Sequence, residues 1–444
     1  MAKVSPLKGI LYNPSVVENF GDVVSPPYDV ISPEYQKTLC ERHPNNVVRL
    51  ILGEPGENSP DHSVFYRAAA KRYRSWLSEK ILMQDKEPAF YLSSVTFTVE
   101  NQSYTRYGII ADVGLEPFEK KIILPHERTS SKVKSDRLML TKATRANFSP
   151  IFSLFSDKGS ILSLLEESVS LNNPDISFVD DRGEIQSVWR ITDRSIQKQI
   201  SEIMEDKQLF IADGHHRYET ALAYRQWLSE NNPAFSENHP ANYVLMYLTS
   251  IEDPGLVILP AHRLLKGVGK ERSDRFLEDA ADFFHIHQIS FKPSGESAAQ
   301  AELMGMLKSD TTKNRIGMAI YGHKAVYLLT PKKEALEEGL KDVPHVLKEL
   351  DVTVLTKIVL MRLLGYEIAE LDDEQILSYT SVADDAFHAA FSGKCDMAFL
   401  LNATGNDQVR AVAQAGEIMP RKSTFYYPKV FAGLVISSKE ETLP

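Results

Sequence analysis

A mixed α/β fold is what this sequence predicts, and three observations lead there. Strand-like apolar runs alternate with helix-spaced segments along the chain, which excludes an all-helical protein. Clusters of Gly, Pro, Asn and Asp separate these runs. The 444 residues are 43% hydrophobic and 25% charged, an ordinary globular composition with material for more than one core.

The opening segment is built from turns, Tyr12-Asn13-Pro14 and then Ser25-Pro26-Pro27-Tyr28-Asp29, whose prolines hold the backbone extended. Ser32-Pro33-Glu34 starts a short helix, with Ser as N-cap and Pro in the first position. The apolar run Val47 to Leu52 predicts a strand. Val64 to Leu82 has helical spacing, with Phe65, Ala68, Ala69, Trp76 and Leu77 on one face. Phe90 to Val99 and Tyr104 to Val113, joined by Glu100-Asn101-Gln102-Ser103, form a hairpin. Ser149 to Phe155 and Asp206 to Ala212 are further strands, and Tyr218 to Leu228 a helix. Ala241 to Ser250 and Leu256 to Pro260 are strand-like.

Composition shifts near Lys266 to Asp274, and a domain boundary is placed there, giving an expected first domain over 1–265 and a second over 266–444. The second begins with a helix from Asp274 to Phe284. Strands around Gly317 to Tyr321 and Ala325 to Leu329, a long helix from Val346 to Leu364 and a strand from Met397 to Asn402 follow. The 416–435 segment, rich in turn residues, aromatics and lysines, is expected to return to the site.

The formal net charge of −10 disfavours broad nucleic-acid binding, which needs a basic face. Cys40 and Cys395 match no metal-ligand spacing and suit buried thiols in a reducing compartment. The N-terminus lacks a signal-peptide pattern and no uncharged stretch is long enough to span a bilayer, so a cytoplasmic protein is expected.

The chemistry concentrates in Asp213-Gly214-His215-His216-Arg217, where an apolar strand runs into a helix. Gly214 permits a positive φ or a close ligand approach. The first N–H groups of a helix lack internal acceptors and its dipole favours an anion there. His215, His216 and Arg217 add side-chain donors, and a guanidinium binds phosphate through two hydrogen bonds. The bland reading, a capped turn with a surface Arg, stands beside this one. Adjacent histidines point to different sides of a helix and make a poor metal pair. Asp29 on its rigid loop is a candidate proton acceptor or Mg²⁺ ligand, or merely a turn cap. His126, Glu127 and Arg128 join a possible base, an acid and a phosphate clamp. Glu219 faces the same ligand or only complements the dipole, and His262-Arg263 ends a strand as a further pair. Lys422 and Lys429 bracket hydroxyls and aromatics, including Ser423, in a segment suited to close over phosphate. No Gly-x-x-x-x-Gly-Lys-Ser/Thr, Gly-x-Ser-x-Gly or His-Glu-x-x-His motif occurs.

Pro26 to Ile31, His126 to Thr129, Ala212 to Ala221, Leu259 to Arg263 and Met419 to Thr424 together resemble, in order, a bacterial and archaeal family of uncharacterised proteins. More widely, Gly214-His215-His216-Arg217 is similar to the phosphate-binding turn of the ParB/sulfiredoxin superfamily, whose free-serine kinases carry a closely similar Asp-Gly-His-His-Arg turn. The resemblance implies a ParB/sulfiredoxin-like core over the first domain, with an additional C-terminal α/β region. It implies nucleotide phosphates (ATP or ADP) at Gly214, His215, His216 and Arg217, with His126, Arg128, Lys422 and Ser423 assisting. Mg²⁺ would sit at Asp213, and catalysis would fall to Asp29, Glu127, Asp213 and His216. The turn has no Cys, which argues against cysteine-sulfinate repair. The expected activity is phosphoryl transfer to or from a small metabolite of the serine or phosphoserine type. The alternatives are a ParB-like nucleotide switch associated with DNA and a non-catalytic phosphometabolite-binding regulator.

Overall fold

The computed structural model describes residues 2–55, 62–127, 131–310 and 314–442. The fold is mixed α/β and the chain divides into two compact units. The first comprises Met1–Pro125, Thr129–Val257 and Pro428–Pro444; the second comprises His126–Arg128 and Ile258–Tyr427. The expected change at Lys266 marks a composition shift in a loop after a strand of the second unit, whereas packing divides the chain earlier, after Val257. The 428–444 segment belongs to the first unit because its backbone pairs there: Ser437–Ser438 with Asn147 and Ala146, Ala432 with Ser25, and Ile436 with Ile10.

In the first unit a nine-stranded sheet holds β1 (Val4–Ser5), β2 (Phe90–Val99), β3 (Gln102–Gly114), β4 (Ile123–Leu124), β5 (Ile151–Phe155), β6 (Ile176–Val179), β7 (Ile185–Ile191), β8 (Leu209–Asp213) and β9 (Tyr243–Ser250). The order is β4-β8-β5-β9-β3-β2-β7-β6, with β1 on β3. β8 is parallel to β4, β5 is parallel to β9, and the other pairs are antiparallel. The expected hairpin is β2 and β3, and its turn is tighter than the sequence suggests. Glu100 and Asn101 both take positive φ (48° and 64°), the backbone twist that matches two antiparallel strands. Alternate residues such as Leu209 and Ile211 of β8 enter a core with Phe90, Ile151 and Met246, closed by Ile200 and Tyr218 from helices.

Ser32 caps the helix Pro33–Arg42 as expected, accepting from the Tyr35 N–H at 3.2 Å. The helix His62–Ser78 ends before Leu82 because Lys80 adopts a left-handed φ of 58°. The strand expected over Val47 to Leu52 is instead a short helix, Val48–Ile51. Asn46, fully buried, accepts from the Val48 N–H at 2.9 Å and donates to the carbonyls of Asp22 and Val24. That tertiary cap overrides the β preference of the valines.

The second unit has an all-antiparallel six-stranded sheet of β10 (His262–Leu265), β11 (Phe284–Ser290), β12 (Ile316–Ile320), β13 (Ala325–Pro331), β14 (Leu377–Thr380) and β15 (Met397–Leu400), in the order β11-β13-β12-β15-β10-β14. Strict alternation feeds two cores: Met318 and Leu329 enter one, Ala319 and Leu328 the other. The helix expected over Asp274 to Phe284 is Lys270–Ala280, and Phe284 already belongs to β11. The long helix expected from Val346 to Leu364 is broken into His345–Lys348, Asp351–Val354 and a π-helical stretch, Leu355–Leu363. Leu350, extended at φ −94° and ψ 124°, makes the break. In the wider turns the Leu364 N–H reaches the Val359 carbonyl, five residues back.

Candidate functional site

Strand β8 delivers Asp213 through a register shift. Phe210 faces Leu154 and Ile211 faces Ser153, but Asp213 faces Phe152, so Ala212 is the extra residue of a bulge. Such a bulge re-aims the side chain that follows it. Gly214, at φ 95°, then turns the chain into the 17-residue helix His215–Asn231. A side chain at Gly214 is disfavoured by this φ and would have to displace the Arg217 guanidinium, whose Nε lies 2.8 Å from where a Cβ would stand. The helix is anchored in its first turn by buried Tyr218, whose hydroxyl donates to the Glu116 carbonyl (2.7 Å) and accepts from the Glu116 N–H (2.9 Å).

The guanidinium folded over Gly214 donates to Asp213 Oδ2 at 2.5 Å and to the Pro150 carbonyl. Asp213 Oδ1 accepts from Lys429 Nζ at 2.9 Å. The three side chains are largely enclosed, with Asp213 16%, Arg217 13% and Lys429 9% exposed. Burial alone would raise the Asp213 pKa. The charges of Lys429 and Arg217, the Lys429 hydrogen bond and His215 outweigh it and hold the carboxyl well below the usual carboxylate range. Two cations thus flank one enclosed carboxylate.

The Pro26-Pro27-Tyr28-Asp29 loop belongs to the same cluster. Tyr28 and Asp29 lie in a short 3₁₀ turn. Arg137 stands 4.6 Å over the Tyr28 ring. The Tyr28 hydroxyl is pushed up to about 12, by burial first and by Asp29 next, while Arg217 and Arg137 pull it down. Tyr28, Arg137, Ser149, Arg217 and Thr220 line a cavity of about 60 Å³. Thr220 Oγ1 is buried there with no hydrogen-bond partner among the described residues. Asp29 itself is exposed, His215 is buried and His216 half-buried. Glu219 pairs with Lys134 at 2.5 Å.

The remaining expected residues gather inside the second unit. Buried His126 shares a 3.1 Å hydrogen bond between Nε2 and Thr424 Oγ1, and its carbonyl accepts from the Met419 N–H. Lys422 takes a left-handed φ of 59° and its carbonyl accepts from Arg263 Nη2 at 3.0 Å. Ser423 turns its hydroxyl onto the Pro420 carbonyl at 2.6 Å. Glu127 is near enough to raise the Arg263 pKa, though burial dominates and brings that guanidinium down to about 10. His262 is a core residue: burial and the neighbouring Arg263 and Lys308 lower it to about 4, and its Nδ1 accepts from the Leu401 N–H. Arg128 lies outside the described residues.

Sequence reasoning missed that Lys429 is an ion partner of Asp213, and missed Arg106 entirely. Arg106, 1% exposed, donates to the Pro428 carbonyl at 2.9 Å and so fixes the residue before Lys429. Its signal was an arginine in the strand run Tyr104 to Val113. No group of three or more His, Cys, Asp or Glu suited to a metal converges among the described residues. Both Asp213 oxygens are engaged by cations, so this donor set does not itself fit Mg²⁺. No helix among the described residues is long and apolar enough to cross a membrane.

The fold and this turn define a mixed α/β protein with a cationic strand-to-helix junction. Residues 4–353 match the family described as protein of unknown function (DUF1015), and the chain belongs to that family. The motif segments from Pro26 to Arg263 fall within the matched stretch; Met419 to Thr424 lies beyond it. No curated protein matches the chain. Among solved structures it is similar to a free serine kinase variant in complex with ADP, at 12% identity over 72% of this chain and 87% of that one, with a TM-score of 0.34. It is similar to a conserved hypothetical protein from Pyrococcus furiosus, at 12% identity over 73% and 92%, TM-score 0.32. It is also similar to SbnI with C-terminal truncation from Staphylococcus aureus, at 11% identity over 73% and 80%, TM-score 0.32.

Proposed function

We propose that the junction at Gly214 holds the phosphates of a nucleotide and that the protein transfers a phosphoryl group to or from a small hydroxyl-bearing metabolite. The observation that carries this reading is the meeting of Arg217 and Lys429 around one carboxylate at the start of a 17-residue helix. The two cations, the dipole and the first-turn N–H groups all favour the same ligand, an anion. Asp213 holds both cations in place before the ligand arrives. Phosphoryl transfer asks mainly for this kind of positioning and charge stabilisation. Asp29, exposed on its Pro-Pro loop, is assigned to orient the attacking hydroxyl, and half-buried His216 to move a proton. Mg²⁺, in this reading, enters on the nucleotide phosphates, since it commonly keeps waters and few protein ligands. Serine and phosphoserine are the first substrates, because the free-serine kinases carry a closely similar turn.

Calorimetric titration with ATP, ADP and pyrophosphate, each with Mg²⁺, tests the site. Arg217→Ala is expected to weaken binding at least about tenfold, equivalent to about 1.4 kcal/mol. Undiminished binding by a folded Arg217→Ala protein overturns the site. Phosphorus NMR of protein with ATP and serine then tests the transfer: phosphoserine supports the substrate class, and nucleotide binding without it moves the search to other hydroxyl compounds.

A further inference from the structure

The second unit contains a cavity of about 240 Å³ that none of the chemistry above uses. Its walls are apolar over much of their area, through residues such as Leu347, Leu371 and Met419. Into this apolar space the fold brings three cations, Arg263, Lys357 and Arg421, with Asp372 as their counter-charge. Asp372 is engaged by Arg421, 3.2 Å away near the surface. Lys357 pairs with no carboxylate among the described residues. The Arg263 guanidinium, 3% exposed, stands 5.0 Å over the Tyr379 ring and directs its hydrogen bonds to the neutral carbonyls of Ala261, Arg421 and Lys422. A buried cation held by dipoles, a ring face and the charge of Glu127 gains further from an anion nearby.

A second, independent feature lies in the wall of the same space. Thr353 is 2% exposed, lines the cavity, and its Oγ1 has no hydrogen-bond partner among the described residues. An unmet buried hydroxyl costs about 1–3 kcal/mol, and a ligand oxygen would recover part of that. Thr353, Thr356 and Lys357 fall three and four residues apart, on one face. They sit where the helix passes from Asp351–Val354 into the π-helical stretch Leu355–Leu363, a rare conformation that is frequent at functional sites.

We infer that this cavity binds a small organic acid, its carboxylate between Lys357 and the Thr353 hydroxyl and its apolar body against Leu347, Leu371 and Met419. The full-length protein is titrated calorimetrically with octanoate and 3-phenylpropionate. Octanamide serves as the uncharged control and inorganic phosphate as the anion without an apolar body. Saturable binding of a carboxylate probe, at least about tenfold tighter than octanamide or phosphate, is expected. Lys357→Met should weaken it at least about tenfold and Thr353→Val several-fold. Both variants keep the side-chain bulk, and a thermal midpoint that is not lowered confirms folding; Thr353→Val, which removes an unmet hydroxyl, should raise it. No saturable carboxylate binding, or equal binding by folded Lys357→Met, overturns the assignment, as does phosphate binding as tightly as the carboxylates. Because no residue of the Gly214 junction lines this cavity, pyrophosphate binding by the same variants separates failure here from failure of the phosphate reading.

Discussion

Asp213 in the first unit and Asp351 in the second are both mostly enclosed carboxylates at the ends of secondary-structure elements, yet they are driven in opposite directions. Asp213 meets Lys429 and Arg217 and is held well below the usual carboxylate range against the effect of burial. Asp351 meets neutral donors, the Arg315 N–H at 3.3 Å and Asn402 Nδ2 at 3.4 Å, and burial pushes it up to about 7. Enclosure alone therefore does not decide the charge of a carboxyl group. The partners do: two close formal charges overcome burial at Asp213, and two longer bonds from neutral donors do not at Asp351.

The widest separation between the two is expected in their pH dependence. A carboxyl raised in the folded state stabilises the fold fully below its unfolded pKa, and the contribution disappears as pH rises through the folded one. For Asp351 the window runs from 3.8 to about 7, about three units, or roughly 4 kcal/mol as an upper bound. Denaturant midpoints of Asp351→Asn should accordingly stay level across this window while the native protein loses stability. Parallel curves for the two proteins would remove the contrast. Asp213 behaves with the opposite sign: its contribution is present above about 3.8 and is lost as pH falls toward its depressed folded value. Asp213→Asn leaves two enclosed cations without their counter-charge and should cost about 3 kcal/mol at neutral pH. A loss below about 1 kcal/mol would show that Arg217 and Lys429 find other partners. The smallest effect is expected at Gly214→Ala, about 1–2 kcal/mol from the left-handed backbone. Displacement of Arg217 by the added methyl should also weaken pyrophosphate binding, and unchanged affinity would separate the conformation of Gly214 from the site.

Where chemistry is local in sequence, it was legible. The Ser32 cap, the β2–β3 hairpin and the strand–Gly–helix junction at Asp213-Gly214 each depend on residues within a few positions of one another. Asn46 shows the limit: it turns Val48–Ile51 helical through bonds to Asp22 and Val24, which the apolar run Val47 to Leu52 cannot disclose. The π-helical turns at Leu355–Leu363 are likewise a response to packing, since the same residues read as one ordinary apolar helix. At the site, Arg217 was visible because it follows Gly214 by three residues. Lys429 was visible only as part of the 416–435 segment; its pairing with Asp213 was not, because it lies 216 residues beyond Asp213 and reaches it only through the folded chain.

That separation has a biosynthetic consequence. All of Ile258–Tyr427 is translated between the carboxylate and its second cation. While the ribosome is still making the second unit, Asp213 and Arg217 are already in the chain without Lys429. The cluster is completed only when Lys429 is added, so a nascent chain cannot assemble it before the whole of Ile258–Tyr427 has been made.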